Sequence, residues 1–183
     1  MTSNKIHALV DEEHIKTLFS IFKNQNTEIR LVGGSIRDLL MNREIRDIDS
    51  ATQLEPNDVL DLLKKNNIEY DDYAIRYGSI IAYPNNKKIQ ITSLREDINQ
   101  LGRHTSVLYT KDWKKDAARR DFTFNALYLG EDCKLYDYYY SAINPYPSKG
   151  IWNNFICSKV KSNESSGIQS ITAKYYSCFC RCN

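Results

Sequence analysis

The spacing of apolar residues predicts two amphipathic helices in the first half of the chain, over residues 12–25 and 55–67. Their apolar faces carry Ile15, Leu18, Phe19 and Phe22 in the first helix, and Val59, Leu60, Leu62 and Leu63 in the second. Pro56 suits the first position of the second helix, because a residue there needs no amide hydrogen for helical pairing. Two shorter helices are predicted over residues 35–41 and 112–120.

Short apolar or alternating runs between these helices predict strands. EIRLV (28–32) and DIDSA (47–51) are each typical of a single short strand. GSIIAYP and KKIQITSL flank Asn85 and Asn86, an arrangement that indicates a β-hairpin. FNALYLG and KLYDYY predict another pair of strands, joined by a turn near Gly130.

One stretch, DINQLGRHTSV (97–107), is polar and contains a glycine, so it predicts a loop. Helices and strands are therefore mixed along the chain, and at least one pair of strands is antiparallel. The fold class indicated is α+β, with a small mixed β-sheet and flanking helices.

The chain length suits one folded domain with an appendage. Of 183 residues, 42% are hydrophobic and 26% are charged, which is enough apolar material for a core. We expect an N-terminal helix within residues 1–27, the main domain over residues 28–140 and a divergent tail over residues 141–183. The tail is rich in Ser, Asn and Cys and has no sustained periodicity, so we expect it to be poorly ordered.

The sequence offers no sign of a membrane segment. No apolar run approaches the roughly 20 residues that span a bilayer, and the first residues lack the plan of a secretory signal. We therefore expect a soluble, cytoplasmic protein without a membrane partner. The formal net charge of +2 permits an acidic partner such as RNA but does not demand one.

Two carboxylates, Asp47 and Asp49, stand one residue apart around Ile48. On a strand both would point to one face, with Ile48 toward the core. Like charges so close repel unless a cation lies between them, and oxygen ligands suit Mg²⁺. The alternative is that the pair is a solvated part of the surface, as most such pairs are.

Gly33 and Gly34 separate the strand of residues 28–32 from the helix that follows, for which Ser35 is available as the N-cap. Glycines let backbone amides approach an anion closely, and Arg37 can fork onto phosphate oxygens. The alternative is a tight strand–helix turn without a ligand. Asp38 is either a ligand for metal or nucleotide or a partner of Arg37, and we prefer the structural role.

A basic segment, KDWKKDAARRD (111–121), holds five cations in eleven residues. Arg119 and Arg120 lie beside Asp121 and near Asn125, so guanidinium groups for phosphate stand next to groups that can recognise a ribose edge and a base. The alternative is an exposed helix end with ordinary ion pairs, which contribute little to stability.

Six segments in a fixed order are together highly specific for one protein family, although no single one is. They are LVGGSIRDLL, RDIDSAT, ITSLRED, GRHTSV, DAARRDFTFNALY and LYDYY. Over roughly residues 28–140 the chain resembles the catalytic head of the bacterial-type (class II) tRNA nucleotidyltransferase and poly(A) polymerase family. This family lies within the polymerase β-like superfamily. The resemblance implies a nucleotidyltransferase head with a small mixed sheet.

The resemblance also implies roles for particular positions. The family's functional residues fall on metal-binding Asp47 and Asp49, on triphosphate-holding Gly33, Gly34 and Arg37, and on nucleotide-contacting Arg119, Arg120, Asp121, Asn125 and Ala126. Among the arginines, Arg120 is the one we favour for nucleotide contact.

The reaction implied is the addition of CMP or AMP to an RNA 3′ end, as in tRNA CCA addition or poly(A) addition. The RNA 3′-hydroxyl attacks the α-phosphate of CTP or ATP and pyrophosphate leaves. Mg²⁺ on Asp47 and Asp49 is the implied cofactor, and tRNA or another RNA is the implied partner.

The chain departs from the family pattern in two places. Gln90 stands where the family strand often carries an acidic residue, and nothing after residue 141 resembles the helical domains that select the base and grip tRNA. We therefore expect a truncated head that is not competent alone, either half of a split enzyme with a second chain that supplies the missing helical domains or the product of a decaying gene. The alternative is a catalytically silent fragment with weak nucleotide or RNA binding at most.

Overall fold

The computed structural model describes residues 2–101, 104–120 and 123–138. Within these ranges the helices are α1 (Thr2–Val10), α2 (Glu13–Lys23), α3 (Gly34–Leu40), α4 (Pro56–Lys65) and α5 (Trp113–Arg119). The strands are β1 (Ile29–Val32), β2 (Ile48–Thr52), β3 (Tyr70–Asp71), β4 (Ser79–Ala82), β5 (Ile89–Ser93), β6 (Arg95–Leu101), β7 (His104–Tyr109), β8 (Leu127–Leu129) and β9 (Leu135–Asp137).

Seven of these strands form one mixed sheet in the order β3-β4-β5-β2-β1-β8-β9. β2 pairs in parallel with β5 and antiparallel with β1, and the remaining neighbours within this sheet are antiparallel. β6 and β7 form a separate two-stranded antiparallel sheet. The predicted α+β class with a mixed sheet is confirmed.

The larger core lies on one face of the sheet, beneath α1 to α4. Side chains alternate along β1, so that Ile29 and Leu31 face this core. The predicted apolar faces of α2 and α4 also point into it, and Leu63 is fully buried there. The helix α1 was not predicted, although Ile6, Leu9 and Val10 bring it into the same core.

A smaller core covers the opposite face, where α5 packs against the sheet. Its buried members are Val32, Ala51, Leu94, Trp113, Ala117, Ala126 and Tyr128. Trp113 and Tyr128 meet edge to face with ring centroids 5.3 Å apart. This contact fixes α5 over the strands β1 and β8.

The helix α5 is also tied to the sheet through Arg30, which is buried on β1. Its guanidinium carbon lies 4.2 Å from the ring centroid of Trp113 and 3.6 Å from that of Tyr136. Its Nε donates to Glu28 at 2.7 Å and its Nη1 donates to the hydroxyl of Tyr138 at 2.6 Å. The stacking of this buried cation on Trp113 links α5 to β1, and its contacts with Glu28, Tyr136 and Tyr138 hold the cation in place.

The prediction of a loop over residues 97–107 is wrong, because this stretch belongs to the β6–β7 hairpin. The two strands pair from Arg95 opposite Tyr109 to Leu101 opposite His104, with an irregularity between Ile98 and Leu101. A two-stranded ribbon is held by backbone pairing, so its sequence can be polar and lack the apolar alternation by which strands are recognised.

The prediction of Ser35 as the N-cap of α3 is also wrong. The N-cap is Gly33, at φ +82° and ψ −136°, and the helix begins at Gly34. Ser35 lies inside the first turn, where its hydroxyl donates to the carbonyl of Val32 at 3.2 Å. The positive φ of Gly33 turns the chain one residue earlier than a serine cap would.

In the part of the chain that the structure covers, no helix has the length and apolar character needed to cross a bilayer. The predicted tail over residues 141–183 lies outside the described residues.

The helix α4 provides a matched test of the main core. Leu63 is fully buried and Leu60 is only partly buried on the same helix. We expect Leu63→Ala to lower the free energy of unfolding by about 2–5 kcal/mol, because it leaves a cavity in close-packed surroundings. Leu60→Ala should cost clearly less in the same urea titration. Equal losses for the two variants would contradict the assigned orientation of α4.

Candidate functional site

The two carboxylates that the sequence singled out stand at the start of β2, the strand between β1 and β5. Asp49 lies in register with Val32 on β1 and with Gln90 on β5. Asp47 immediately precedes the strand, and both carboxylates line the same two cavities. Ile48 packs against the main core. The two acids therefore line the same cavities, as expected, while Ile48 packs against the main core and also borders the smaller cavity.

A cavity lies on each side of β2. The first, of about 480 Å³, is lined by Gly34, Ser35, Arg37, Asp38, Arg43, Glu44, Arg46, Asp47 and Asp49. The second, of about 260 Å³, is lined by Asp47, Ile48, Asp49, Lys88 and Gln90. The carboxylate pair is thus shared between a larger, arginine-rich cavity on the β1–α3 side and a smaller cavity on the β5 side.

The charge state of Asp49 reflects this setting. Burial raises the pKa of its carboxyl above the ordinary value, the negative charge of Asp47 adds to the increase, and the positive charges of Arg120 and Lys88 offset it only in part. The ionised pair is therefore under repulsion that a bound cation would relieve.

The donor set fits a hard divalent cation. Mg²⁺ is usually held by one or two carboxylates, with substrate phosphates and water completing its octahedron. Asp47 and Asp49 supply two such carboxylates at the mouth of both cavities. Among the described residues no group of three or more His, Cys, Asp or Glu side chains converges on a metal-sized space. The third neighbour on the adjoining strand is the neutral amide of Gln90.

The glycine pair brings backbone close to the functional side chains. A Cβ on Gly33 would lie 3.9 Å from Oδ2 of Asp49, and one on Gly34 would lie 3.4 Å from Nη2 of Arg37. Arg37 itself forks onto Asp38, with Nε and Nη2 each donating at 2.9 Å. Asp38 thus pairs with Arg37, in agreement with the structural role that we preferred, and it also lines the larger cavity.

Both arginines of the basic segment converge on a carboxylate that the sequence analysis did not single out, Asp116. Nε and Nη2 of Arg119 donate to its Oδ1 at 3.0 and 2.7 Å. Nε and Nη2 of Arg120 donate to its Oδ2 at 3.1 and 2.9 Å. The hydroxyl of Tyr128 donates to Oδ2 at 2.7 Å, and the amide of Arg95 donates to Oδ1 at 3.3 Å.

This arrangement is a buried charge cluster, since the Asp116 side chain is only 1% exposed. Burial acts to raise the pKa of Asp116, but the charges of Arg120 and Arg119 hold it below its usual value. Burial also raises the pKa of Tyr128 above the ordinary range. The signal that could have found Asp116 is its position three and four residues before the two arginines on one helix.

Arg119 and Arg120 differ in their further interactions beyond Asp116. Arg119 also donates to the carbonyl of Arg95 at 3.0 Å, which ties α5 to the start of β6. Arg120 is close enough to the carboxylate pair that its charge acts on Asp49. Asn125 lies in the 3₁₀ turn before β8 and is partly exposed, while Asp121 lies outside the described residues. Arg120 is therefore the arginine of this segment whose charge acts on Asp49, and its contact with a nucleotide stays a prediction.

Residues 29–144 match the family described as Poly A polymerase head domain. The human mitochondrial protein CCA tRNA nucleotidyltransferase 1 is 38% identical over 128 residues, which make up 69% of this chain and 30% of that protein. A CCA-adding enzyme of Bacillus cereus is 32% identical over 123 residues, covering 66% of this chain and 30% of that protein. This chain therefore spans about 30% of the length of the curated relatives that it matches.

The fold is also similar to solved structures. The Bacillus stearothermophilus CCA-adding enzyme, in a crystal structure with CTP, matches with a TM-score of 0.59 and 27% identity. The match covers 68% of this chain and 29% of that one. An apo form of a CCA-adding enzyme matches with a TM-score of 0.60 at 22% identity, which supports the fold alone, and covers 73% of this chain and 34% of that one.

The glycine pair gives a matched test of backbone geometry. Gly33 has φ +82°, a conformation that costs a residue with a side chain about 1–3 kcal/mol. We expect Gly33→Ala to lower the free energy of unfolding by this amount. Gly34→Ala should stay within about 1 kcal/mol of the parent, because the added methyl meets only the flexible end of Arg37 and alanine favours a helix. Equal losses in urea unfolding would show that crowding, rather than φ, sets the cost.

The cluster around Asp116 gives a second test. Asp116→Asn removes the charge that two guanidinium groups share, and we expect it to lower the free energy of unfolding by about 3 kcal/mol or more. Because the pKa of Asp116 is lowered in the folded state, its stabilisation is full above the ordinary carboxyl pKa of about 3.9 and is lost as the pH falls through the folded-state value. The difference in the free energy of unfolding between the parent and Asp116→Asn should therefore shrink in acid.

The matched control for this test is Asp61→Asn, since the Asp61 side chain is 79% exposed on α4. It should change the free energy of unfolding little at any pH. A constant difference between Asp116→Asn and the parent down to strongly acidic pH would contradict the assigned charge cluster.

Proposed function

Because the chain belongs to the Poly A polymerase head domain family, we propose that it is the head of an RNA nucleotidyltransferase that adds CMP or AMP to RNA 3′ ends. The observation that carries the proposal is the carboxylate pair, Asp47 and Asp49, at the boundary of two cavities. Relatives named as CCA-adding enzymes favour tRNA as the RNA and CTP and ATP as the nucleotides.

We propose Mg²⁺ as the cofactor, held by Asp47 and Asp49. When bound, it would lower the pKa of the attacking hydroxyl and neutralise charge on the attacking and leaving oxygens. The contribution of the chain is to keep both carboxylates on one side of β2. The raised pKa of Asp49 supports this role, because burial and the charge of Asp47 both disfavour its ionised form until a cation binds.

We assign the triphosphate to the larger cavity. Three guanidinium groups line it, those of Arg37, Arg43 and Arg46, and Gly34 at the start of α3 also borders it. Several cations are needed there because a triphosphate carries several negative charges. The neighbouring acid Asp38 orients Arg37 through two hydrogen bonds.

Arg120 is the nucleotide contact that we propose from the basic segment, and Arg119 is the residue that fixes α5. The side chain of Arg120 is 17% exposed and its position is set by Asp116 and Tyr128. A guanidinium held in this way offers charge to a ligand without having to be ordered first. Asn125 and Asp121 complete the proposed nucleotide site.

The domain division is part of the proposal. Residues 28–140 form the head, residues 1–27 add helices to its core, and residues 141–183 lie beyond it. In this proposal, base selection and the grip on tRNA belong to helical domains outside the head, which a second chain can supply.

The test is incorporation of labelled CMP and AMP into tRNA that ends before CCA, with Mg²⁺ present. In the assay that shows incorporation, with this chain alone or with the second chain described below, we expect Asp47→Ala and Asp49→Ala each to reduce the rate at least about a hundredfold, comparable to the loss of one preorganised electrostatic group. Asp58→Ala, on the exposed side of α4, is the control and should leave the rate unchanged.

The same assay is repeated with a second chain that carries the helical domains of a relative. Activity that appears only with that chain supports the division of labour. No incorporation in either assay would contradict the proposed function and favour a silent head.

A further inference from the structure

Each arginine of the Asp116 cluster binds a single carboxylate oxygen, so a further contact is needed to fix its orientation. Nε and Nη2 of Arg119 both donate to Oδ1 of Asp116, and Nε and Nη2 of Arg120 both donate to Oδ2. A fork that spans both carboxylate oxygens fixes the plane of a guanidinium. A fork on one oxygen leaves the guanidinium able to pivot about that oxygen, and a third anchor removes this freedom.

The third anchor differs between the two arginines. Arg119 donates from Nε to the backbone carbonyl of Arg95 at 3.0 Å. Arg120 donates from Nε to the hydroxyl of Tyr128 at 3.3 Å, and that hydroxyl donates to Oδ2 of Asp116 at 2.7 Å. Nε of Arg120, Oδ2 of Asp116 and the Tyr128 oxygen thus form a closed triangle of hydrogen bonds. A tyrosine hydroxyl can complete it because it donates and accepts at the same time.

Tyr128 is itself held firmly by its neighbours on the smaller core. Its side chain is fully buried, and its ring meets those of Trp113 and Tyr138 edge to face, with centroids 5.3 and 5.8 Å away. Burial raises the pKa of Tyr128, so the hydroxyl keeps its proton and remains a donor to Asp116. The anchor of Arg120 is therefore a side chain whose own position is fixed by packing.

The register of the sheet relates Tyr128 to the carboxylate pair. Val32 on β1 lies opposite Tyr128 on β8 and opposite Asp49 on β2, so the three side chains project from one face of the sheet. Arg120 is the C-cap residue of α5 and has an extended backbone, with φ −72° and ψ 136°. The helix therefore does not determine the direction of the Arg120 side chain, and its placement relative to Asp49 depends on the triangle.

We propose that Tyr128 is a positioning residue for nucleotide binding, whose hydroxyl fixes the guanidinium of Arg120 relative to Asp49. The hydrogen bonds that Arg120 makes to described residues use Nε and Nη2, and none of them uses Nη1, which is left for the nucleotide. A side chain that is ordered beforehand loses less freedom when the ligand binds. This inference rests on the proposed function, since it names a residue that supports the proposed nucleotide contact.

The first experiment compares Tyr128→Phe with Tyr138→Phe by isothermal titration calorimetry with ATP and Mg²⁺. Each substitution removes one hydroxyl from the same group of rings and keeps the ring, but the hydroxyl of Tyr138 accepts from Arg30 and not from Arg120. We expect Tyr128→Phe to weaken ATP binding about three- to tenfold, the value of one hydrogen bond. Tyr138→Phe should leave the ATP affinity unchanged.

Inorganic triphosphate provides a second ligand for the same proteins. It carries the group that we assign to the larger cavity, which is lined by Arg37, Arg43 and Arg46. Its affinity should therefore be the same in the parent and in both Phe variants. A general disturbance of the head by Tyr128→Phe would instead weaken ATP and inorganic triphosphate alike.

A double-mutant cycle tests whether Tyr128 acts through Arg120. In an Arg120→Ala background, Tyr128→Phe should cause no further loss of ATP affinity, because the guanidinium that the hydroxyl positions is absent. Urea unfolding of each variant checks that the protein used for titration is folded.

Equal ATP affinities of the parent and Tyr128→Phe would overturn the inference, and so would equal losses for Tyr128→Phe and Tyr138→Phe. A full effect of Tyr128→Phe in the Arg120→Ala background would overturn it as well. Failure of the proposed function gives a different result, because the parent protein itself would then bind neither ATP nor inorganic triphosphate.

Discussion

Backbone pairing along both edges of β2 is the constraint on which the arrangement of the site depends. Asp49 lies between Val32 on β1 and Gln90 on β5, so its direction is fixed by two sets of ladder hydrogen bonds. A slip of one residue in either register would turn the carboxylate into the main core and Ile48 toward solvent. Burial of Ile48 on one face therefore secures the position of the carboxylates on the other.

A second set of interactions surrounds the carboxylate pair without belonging to the sheet ladder. Asp116 is one anion shared by two guanidinium groups, so the cluster on α5 carries a surplus of positive charge beside Asp49. Arg30 attaches the same helix to β1 by stacking on the ring of Trp113. The charged groups of this region are thus held by buried contacts, while the cavities on both sides of β2 remain lined by polar side chains.

The sequence was sufficient where a pattern has a direct geometric meaning. A spacing of two on a strand placed Asp47 and Asp49 on one side, and apolar spacing located α2 and α4. The sequence did not predict the structure where a segment is held by polar pairing or by residues distant along the chain. The β6–β7 hairpin is held by backbone pairing that polar residues do not reveal, and the N-cap of α3 depends on the positive φ of Gly33. Asp116 resembled any helical acid near arginines until its burial was known.

The order of the strands in the sheet also determines when distant segments of the chain can pair during folding. Leu31 on β1 pairs with Leu129 on β8, near the other end of the described chain. Contacts between segments so far apart require a large loop to close first, which slows folding. During synthesis, β1 and β2 leave the ribosome long before α5 and β8. The face of the sheet that carries Val32 and Ala51 is not covered in that interval. The charge of Arg120 therefore reaches Asp49 only at the end of folding.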